Sequence, residues 1–488
     1  MKAVIIGAGI GGIATSIRLA KKGYEVEVYE QNSYPGGKLS VFEQDGFRFD
    51  AGPSLFTLPE LVDDLVSLQE ESEDIDFPYK KLDESCRYFW EDGKRLTAYT
   101  DPEKFGQEVE KVFSVPSKVI VDYIKNAEFK YEKSARIFLE KSLHKRSTFL
   151  SKEILPALLN IYKFGLFKSM NQVNKKALKH PKLVQLFNRF ATYNGSDPYQ
   201  APGILTSIAN LELNKGTFYP QNGMFQITET LLKVAESLSV KFNYNSRVEQ
   251  ILIKEGKAVG IINNGEKILA DLVVSNMDIY PTYRKLLSDQ KQPEKILKQE
   301  RSSSALIFYW GINKDFDELG LHNIFFSEDY EKEFNHIFKK KTIVDDPTIY
   351  VNITSKHSPS DAPEGNENWF VMVNVPSNSG QNWDELIPII KESVIKKLNR
   401  ILGTDLENLI KTESILEPRT IESKTSSYGG ALYGSSSNNQ FSAFLRHPNF
   451  HQKIKNLYFS GGSVHPGGGI PLCLLSAKII DDLSPAAK

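Results

Sequence analysis

The first thirty residues combine apolar runs with glycine-rich turns in a pattern that predicts a strand, a helix and a second strand. Residues 3–6 form a continuous apolar run, which is typical of a buried parallel strand. Apolar residues then recur at helical spacing over 13–20, and residues 24–29 alternate as a strand does. Because Glu30 stands at the end of that second strand, the chain is predicted to open with a βαβ unit that ends in a carboxylate.

The turn between the first strand and the helix carries glycines in GxGxxG spacing. Gly7 permits the tight turn, Gly9 lets the backbone approach a pyrophosphate, and Gly12 lets helix and strand pack closely. The N-terminus of the helix then faces the phosphate charge, and Glu30 is placed to accept a hydrogen bond from a ribose hydroxyl. This combination favours a binding site for an ADP moiety over glycines that only turn the chain.

A second glycine-rich crossing follows close behind the first. Residues 35–38 are Pro-Gly-Gly-Lys, a predicted strand ends near residue 50, and residues 49–54 are Phe-Asp-Ala-Gly-Pro-Ser. Two such segments beside a GxGxxG unit suit a cofactor larger than NAD, because they could pass close to a flavin ring and its ribityl chain. The alternative is a pair of hairpin turns without a ligand.

Between about residues 100 and 214 the pattern changes to helical spacing with few strand-like runs. Residues 124–190 carry 15 Lys and Arg against 4 Glu and no Asp, interleaved with apolar and aromatic side chains. A basic and apolar helical block of this kind can lie on an anionic membrane surface. It can equally be the solvated face of ordinary core helices, and the sequence alone leaves both interpretations open.

The remainder returns to strands. A helix is predicted over 227–238, followed by strands in a meander to Val274 and a polar turn at 275–278 that brings the chain back to the first domain. Aromatic and β-branched runs between 304 and 375 predict an antiparallel sheet, and 383–402 predicts an amphipathic helix.

The closing segment is a strand, a glycine-rich loop and a helix with Pro471 in its first turn. The free N–H groups at such a helix start could stabilise negative charge on a reduced flavin ring. The alternative is one more plain βα unit, but the glycines at 461, 462 and 467–469 exceed what such a turn needs.

Composition narrows the function classes. The 488 residues predict two or three domains, and a hydrophobic content of 40% with a net charge of -1 gives no sign of a nucleic-acid partner. Cys86 and Cys473 lie far apart, so a reducing compartment and no disulfide are expected. The histidine pattern suggests no metal site, and no run of 18 apolar residues predicts a membrane span.

Several motifs resemble those of one family. They are GAGIGG at 7–12, PGGK at 35–38, FDAGPS at 49–54, GTFYPQNGM at 216–224, SNMD at 275–278, ALYGSSSN at 431–438 with AFLR at 443–446, and NLYFSGGSVHPGGGIP at 456–471. With them the chain resembles the carotenoid (phytoene) desaturases within the FAD-dependent amine-oxidase-like superfamily. Residues 461–467 depart mildly from the family's usual Gly-Ala-Gly-Thr-His-Pro-Gly. The segments 302–312 and 321–330 most resemble bacterial 1-hydroxycarotenoid 3,4-desaturases.

The resemblance implies an α/β fold with a discontinuous Rossmann-type FAD-binding domain (1–99, 215–285 and 415–488). It also implies an antiparallel-sheet substrate domain (286–414) and a helical, membrane-facing subdomain (100–214). FAD would be noncovalent, and the substrate would be a long apolar polyene such as the 1-hydroxycarotenoid hydroxy-γ-carotene. Hydride would pass to the flavin to form a C=C bond, and oxygen or a quinone would reoxidise the flavin. The protein would be cytoplasmic and peripheral on the inner face of the cell membrane.

The residues expected to bind the cofactor lie in both terminal motifs and in the segments between them. They are Gly7, Gly9, Ile10, Gly11, Gly12, Glu30, Gln31, Gly37, Lys38, Gly52, Pro53, Ser54, Val248, Asn276, Gly461, Gly462, Gly469, Ile470 and Pro471. A tunnel for a hydrocarbon needs no catalytic dyad or triad, since the flavin performs the difficult step. Glu153, a carboxylate in an otherwise apolar stretch, is the candidate proton acceptor, with a solvated helix charge as the alternative.

Three other functions stay open on this fold. The first is amine oxidation, and the second is a redox-neutral isomerisation of a polyene. The third is binding of a lipidated partner without flavin chemistry, as in the Rab-escort and GDP-dissociation-inhibitor proteins. The intact closing motif at 461–471 argues against the third.

Overall fold

The computed structural model describes residues 1–150, 154–439, 441 and 446–487. The strands are β1 Lys2–Ile6, β2 Glu25–Tyr29, β3 Val41–Gln44, β4 Phe47–Asp50, β5 Tyr79–Lys81, β6 Glu84–Phe89, β7 Arg95–Tyr99, β8 Phe218–Pro220, β9 Lys241–Asn243, β10 Val248–Lys254, β11 Lys257–Asn263, β12 Glu266–Leu269, β13 Leu272–Ser275, β14 Ser304–Ile312, β15 His322–Phe325, β16 Ile349–Ile353, β17 Glu367–Val375, β18 Ile410–Leu416 and β19 Leu457–Phe459.

The α-helices connect and cover these strands. They are α1 Ile10–Lys21, α2 Glu60–Val66, α3 Pro102–Phe113, α4 Ser117–Phe138, α5 Arg146–Phe149, α6 Ile154–Asn160, α7 Met170–Leu178, α8 Pro181–Asn188, α9 Ile208–Asn210, α10 Gln226–Ser237, α11 Ile279–Pro281, α12 Glu294–Leu297, α13 Tyr330–Asn335, α14 Trp383–Leu402, α15 Pro418–Thr425 and α16 Ile470–Leu483. Shorter 3₁₀ and π segments include Arg189–Asn194, Gly203–Ser207 and Leu211–Lys215.

A five-stranded parallel sheet in the order β19-β13-β1-β2-β9 joins the two ends of the chain. Its central strands β1 and β13 are buried apolar runs, as expected where helices cover both faces of a sheet. Ile13 and Ile17 of α1 share one core with Leu231 of α10 and with Leu474 and Ala477 of α16. This sheet confirms the predicted α/β fold of Rossmann type.

The second large sheet has seven strands in the order β18-β14-β17-β16-β15-β6-β7. Its pairs are antiparallel except for β15 and β6, which run parallel with Asn323 opposite Arg87. The pairing places residues 84–99 in this sheet, whereas the division from sequence put them with the FAD-binding segments. That division followed chain order, and a pair between strands so distant in sequence leaves no local signal.

Residues 102–215 form the helical part, and no strand occurs among those of them that the structure describes. The amphipathic helices α3, α4 and α8 bury one face each, including Phe105, Ile120 and Phe187, against the outer strands of the seven-stranded sheet. Within the described ranges no helix is both long and apolar enough to cross a bilayer.

The strand predicted to continue to Val274 is two strands, because the chain leaves one sheet and enters another at Asp271. The N–H of Asp271 donates to the carbonyl of Lys2 (2.8 Å), and its carboxylate accepts from the N–H of Lys2 (2.7 Å). β12 stays in a three-stranded antiparallel sheet with β10 and β11, whereas β13 pairs with β1. The predicted return to the first domain at 275–278 is confirmed.

Candidate cofactor and substrate site

One large cavity, of about 1290 Å³, lies where the parallel sheet, the seven-stranded sheet and the helical part meet. Sites for drug-sized ligands are roughly 300–1000 Å³. The cavity is therefore large enough for more than one small molecule. Glycine-rich loops from near both ends of the chain line one region of the cavity. Apolar side chains of the helical part and of the seven-stranded sheet line another region.

The loop between β1 and α1 brings backbone to the cavity wall. Gly7 has a φ of 96°, a conformation that favours glycine, and its N–H donates to the carbonyl of Tyr29 (2.8 Å). A Cβ on Gly12 would lie 2.2 Å from the carbonyl oxygen of Gly7, so only glycine lets α1 begin this close to β1. Gly9 is the N-cap and has no side chain, which leaves the first N–H groups of α1 available to an anion.

Glu30 is held rigidly at the end of β2. Its carboxylate accepts hydrogen bonds from the N–H of Ala8 (2.8 Å) and of Asn32 (2.9 Å), and the residue is buried. The side chain lines the cavity beside the α1 loop. A carboxylate at this place in a βαβ unit can accept from ribose hydroxyls.

The closing motif packs directly on the opening motif. The hydroxyl of Ser460 donates to the carbonyl of Gly11 (3.0 Å) and accepts from the hydroxyl of Thr15 (3.1 Å). A Cβ on Gly11 would lie 3.1 Å from the Cα of Gly461. The amide of Asn276 fills the space between the two loops, since a Cβ on Gly11 would lie 2.9 Å from its Nδ2.

Helix α16 begins at the same cavity. Gly469 precedes it with a φ of 105° and lines the wall together with Ile470 and Pro471. Pro471 needs no N–H partner in the first turn, which suits a helix start exposed to a ligand. The N-termini of α1 and α16 therefore both lie on the cavity wall. Each can stabilise a negative charge, so together they could bind an extended molecule that carries a negative charge in each half.

The second glycine-rich crossing runs beside the first. The N–H of Gly36 donates to the carbonyl of Ala8 (2.8 Å), and a Cβ on Gly52 would lie only 1.7 Å from the carbonyl oxygen of Lys38. The buried amine of Lys38 donates to the carbonyls of Ala431 (3.2 Å) and Leu432 (3.0 Å). Burial lowers the pKa of Lys38 to about 8. Lys38 thus connects the second glycine-rich crossing to the loop at residues 431–432, which precedes the closing motif.

The structure brings together nearly all residues that the sequence placed at the cofactor. Those on the cavity wall are Gly7, Gly9, Ile10, Gly11, Glu30, Gln31, Gly37, Lys38, Gly52, Pro53, Ser54, Val248, Asn276, Gly461, Gly462, Gly469, Ile470 and Pro471. Gly12 lies behind the wall, where its role is the close packing of α1 on β1. Glu153, the candidate proton acceptor, lies outside the described residues.

Arg446 is a site residue whose role the sequence did not suggest, although it ends the AFLR motif. Its buried guanidinium lines the cavity and donates to the carbonyls of Tyr433 (3.1 Å), Gly462 (3.3 Å) and Ser435 (2.9 Å) and to Oδ1 of Asn194 (3.3 Å). Burial lowers the pKa of Arg446 to about 10. Since these acceptors are neutral, the cation gives the closing loop a positive potential that favours an anionic ligand.

The rest of the cavity is largely apolar. The helical part contributes Phe138, Leu139, Phe164, Leu166, Ile204, Leu205, Ile208 and Leu211, and the second sheet contributes Ala305, Ile307, Ile324, Phe370 and Met372. These side chains offer shape and few hydrogen bonds. A long hydrocarbon fits such a wall, because its affinity comes from burial of apolar surface.

A buried polar cluster interrupts this apolar wall. The guanidinium of Arg189 donates to the hydroxyls of Tyr88 (2.8 Å) and Tyr193 (2.8 Å) and to Oε1 of Glu212 (3.2 Å). The Tyr193 hydroxyl in turn donates to Glu212, and Ser85 donates to the same carboxylate (2.5 Å). The sequence had no signal for this cluster, because its members come from β6 and two separate helical segments, Arg189–Asn194 and Leu211–Lys215.

Comparison with known proteins identifies the family of the chain. The family model of flavin containing amine oxidoreductases matches residues 10–479. The chain is 54% identical to a 1-hydroxycarotenoid 3,4-desaturase of Flavobacterium sp. (strain P99-3), over 99% of both chains. It is 32% identical to a phytoene desaturase of Fusarium fujikuroi, covering 98% of this chain and 88% of that one.

Solved structures agree on the fold. An oxidoreductase of Methanosarcina mazei matches with a TM-score of 0.65 at 17% identity, over 99% of this chain and 100% of that one. A putrescine oxidase matches with a TM-score of 0.61 at 12% identity, over 99% and 98%. The family model implies a flavin cofactor. The chain belongs to the flavin-containing amine oxidoreductase family and, within it, to the carotenoid desaturases.

Proposed function

We propose that the protein is an FAD-dependent desaturase that oxidises the C3–C4 bond of a 1-hydroxycarotenoid, such as hydroxy-γ-carotene, to a double bond. The observation that carries the proposal is the 54% identity, over 99% of both chains, to a 1-hydroxycarotenoid 3,4-desaturase. The cavity supports it, because a glycine-lined part with two helix N-termini adjoins an apolar part. The substrate loses one hydride and one proton, and both electrons leave with the hydride.

The residues present fit FAD. Glu30 and the N-terminus of α1 would hold its ribose and pyrophosphate, while Arg446 and the N-terminus of α16 would face the ring. When bound, FAD supplies the hydride acceptor, and oxygen or a quinone regenerates it. Noncovalent binding is proposed because burial raises the pKa of Cys86 to about 12 and of Cys473 to about 11. Both thiols on the cavity wall are then protonated and poorly nucleophilic.

Attachment to the inner face of the cell membrane is part of the proposal. An apolar surface between residues 149 and 167 is formed by the exposed side chains Phe149, Leu150, Leu155, Leu158, Leu159, Ile161, Tyr162 and Phe167. Leu150 is 85% and Phe167 is 87% exposed, and Lys163 and Lys168 are exposed beside them. Several exposed apolar side chains within one short segment, with neighbouring cations, favour an anionic lipid surface.

Substrate entry is proposed at the same surface. A smaller cavity of about 310 Å³ is lined by Phe167, Lys168 and Phe441, and it shares Leu166 and Pro202 with the main cavity. A polyene dissolved in the bilayer could therefore reach the apolar part of the main cavity without crossing water, which its hydrophobicity disfavours.

The decisive experiment is expression in bacteria that accumulate either a 1-hydroxycarotenoid or its counterpart without the hydroxyl. A product lighter by two hydrogens, formed from the hydroxylated compound, is expected. An altered polyene of unchanged mass would instead indicate an isomerase, and peroxide release from amines alone would indicate an amine oxidase. The purified protein should be yellow and release FAD on acid precipitation. Protein that cannot be reconstituted with FAD would contradict the proposal.

A further inference from the structure

A hydrogen-bond relay of three side chains lies in the cavity wall. The hydroxyl of Ser54 lies 2.8 Å from the hydroxyl of Tyr350, which lies 2.7 Å from Nδ1 of His322. All three residues line the main cavity. Ser54 directly follows Gly52 and Pro53, the crossing proposed to pass the flavin, whereas Tyr350 and His322 lie on the neighbouring strands β16 and β15.

The direction of these hydrogen bonds follows from Asn352. Its Nδ2 donates to the carbonyl of Leu321 (3.0 Å), which fixes the amide orientation, and it also lies 3.2 Å from Nδ1 of His322. Since an amide nitrogen only donates, Nδ1 must be an acceptor. The Tyr350 hydroxyl then donates to Nδ1 and accepts from Ser54. Burial lowers the pKa of His322 to about 3, so the ring is neutral and its proton resides on Nε2.

This proton has no acceptor within the part of the chain that the structure describes. Nε2 of His322 is buried and without a hydrogen-bond partner among the residues that the structure describes. Nε of Arg189 is likewise buried and unpartnered within the described ranges, although its terminal nitrogens are bound by Tyr88, Tyr193 and Glu212. Arg189 is near enough to contribute to the lowered pKa of His322. Two buried donors on the wall of one cavity therefore have no hydrogen-bond acceptor within the described ranges. Leaving buried donors unpaired costs free energy.

We propose that His322 and Arg189 form the subsite for the hydroxyl oxygen at one end of the polyene, oriented by Tyr350 and Ser54. The inference rests on the proposed function and specifies which end of the substrate is recognised. A hydroxyl oxygen has two lone pairs and can accept from both donors, whereas a hydrocarbon end leaves both unpaired.

The subsite would also select the bond that is oxidised. In a 1-hydroxycarotenoid the oxygen lies three bonds from C3 and four from C4. A fixed oxygen therefore fixes the C3–C4 bond. The Tyr350 hydroxyl contacts Ser54, which follows the Gly52–Pro53 crossing. The proposed hydroxyl subsite is therefore linked by hydrogen bonds to the region of the cavity that would hold the flavin. His322 and Arg189 are thus specificity-determining residues, and Tyr350 and Ser54 are positioning residues.

The test compares a 1-hydroxycarotenoid with the same polyene lacking the hydroxyl, both delivered in lipid vesicles to the full-length holoprotein. The wild type should prefer the hydroxylated compound in kcat/KM by at least about tenfold. His322→Leu replaces the imidazole by an apolar side chain of similar size and so removes the donor. It should lower that preference by about tenfold or more, because the hydroxylated substrate loses a donor and the substrate without the hydroxyl no longer leaves that donor unpaired. Tyr350→Phe, which retains the ring of His322 but not its orientation, should lower the preference less.

Tyr123→Phe is the matched control. It also deletes a buried tyrosine hydroxyl, one that donates to Asn174 (2.6 Å), but Tyr123 does not line the main cavity. Its stability should fall and its substrate preference should stay. Folded, flavin-loaded His322→Leu and Tyr350→Phe proteins with the wild-type preference would overturn the subsite.

Equilibrium binding of the two polyenes separates this inference from the proposed function. If the wild type desaturates neither compound, the proposed function fails. The subsite then still predicts tighter binding of the hydroxylated polyene, measured by the shift of its visible absorption, and loss of this difference in His322→Leu. Equal binding of both polyenes by the wild type would overturn the subsite whatever the turnover.

Discussion

The hydroxyl of Ser460 donates a 3.0 Å hydrogen bond to the carbonyl of Gly11, joining two loops that lie 449 positions apart in the chain. The contact exists because Gly11 and Gly461 carry no side chain, and a Cβ on Gly11 would lie 3.1 Å from the Cα of Gly461. The two loops that meet the cofactor part of the cavity are therefore one packed unit. A change in either should disturb both halves of a bound FAD.

Gly11→Ala tests this unit. Its Cβ would meet Nδ2 of Asn276 at 2.9 Å and the Cα of Gly461 at 3.1 Å. The Asn276 amide must therefore shift, and the backbones of the two loops must move apart. We expect FAD affinity to fall at least tenfold, with a lower melting temperature, because overpacking of this kind costs about 1–3 kcal/mol. Titration of the deflavinated protein with FAD measures the affinity.

Gly320→Ala is the control for that change. The three atoms nearest its Cβ would all belong to the side chain of Arg87, the first at 3.2 Å, and Gly320 does not line the main cavity. FAD affinity should stay at the wild-type value. An unaltered affinity in Gly11→Ala as well would mean that the two loops bind the cofactor independently.

Glu30→Gln removes a charge and one of two acceptors. The carboxylate accepts from the N–H of Ala8 and of Asn32, and an amide can accept from only one of them. A buried N–H would then face an NH₂ group, so we expect FAD to bind about tenfold or more weakly. Glu25→Gln, an exposed position on the same strand, is the comparison and should bind FAD normally. Equal affinities in both variants would exclude Glu30 as the ribose ligand.

The cofactor part of the site could be predicted because its constraints are local. Gly7, Gly12 and Gly52 are required by backbone conformation or by contacts that a Cβ would break, and such requirements appear directly as glycines at fixed spacing. The alternation of apolar and polar residues over 24–29 likewise predicted where β2 ends, and so predicted that Glu30 lies at its end.

The polar groups of the substrate part could not be predicted in the same way. His322 and Tyr350 become neighbours only through the pairing of β15 with β16, and Arg189 joins them from the helical part. Each residue taken alone is an ordinary polar residue in an apolar or helical stretch. The parallel pair of β15 and β6, which carries residues 84–99 into the second sheet, is equally invisible in local patterns.

The buried histidines predict a loss of stability in acid. Burial lowers the pKa of His322 and of His447 to about 3. Between pH 6.5 and 3 the unfolded chain binds protons that the folded chain does not, so the free energy of unfolding falls as pH falls. His322→Leu removes one such group and should reduce the slope of unfolding free energy against pH by up to about 1.4 kcal/mol per pH unit. Urea unfolding at pH 7 and pH 5 measures the slope, and identical slopes would contradict the neutral ring inferred for His322.

The exposed apolar surface between residues 149 and 167 predicts how the protein binds lipid. Burial of one leucine or phenylalanine side chain contributes about 1.5–3 kcal/mol, so replacing Leu150, Leu159 and Phe167 together by Ser should lower partitioning into vesicles at least about 100-fold. Flotation with vesicles of anionic lipid measures this. Charge reversal at the exposed cations Lys163, Lys168, Lys175, Lys176 and Lys179 should weaken binding to anionic vesicles and leave binding to neutral ones unchanged.

Exposed apolar side chains elsewhere provide the control for lipid binding. Leu269 on β12 is 68% exposed and Ile389 on α14 is 55% exposed, and both lie outside the helical part. Replacing these two by Ser should leave flotation unchanged, because isolated apolar side chains do not form a membrane-binding surface. If the charge-reversal variant floats as the wild type does, the cations between residues 124 and 190 are a solvated face. If the Leu150, Leu159 and Phe167 variant floats as the wild type does, the exposed apolar surface does not bind lipid. The polyene would then have to enter the cavity at a place other than Leu166 and Pro202.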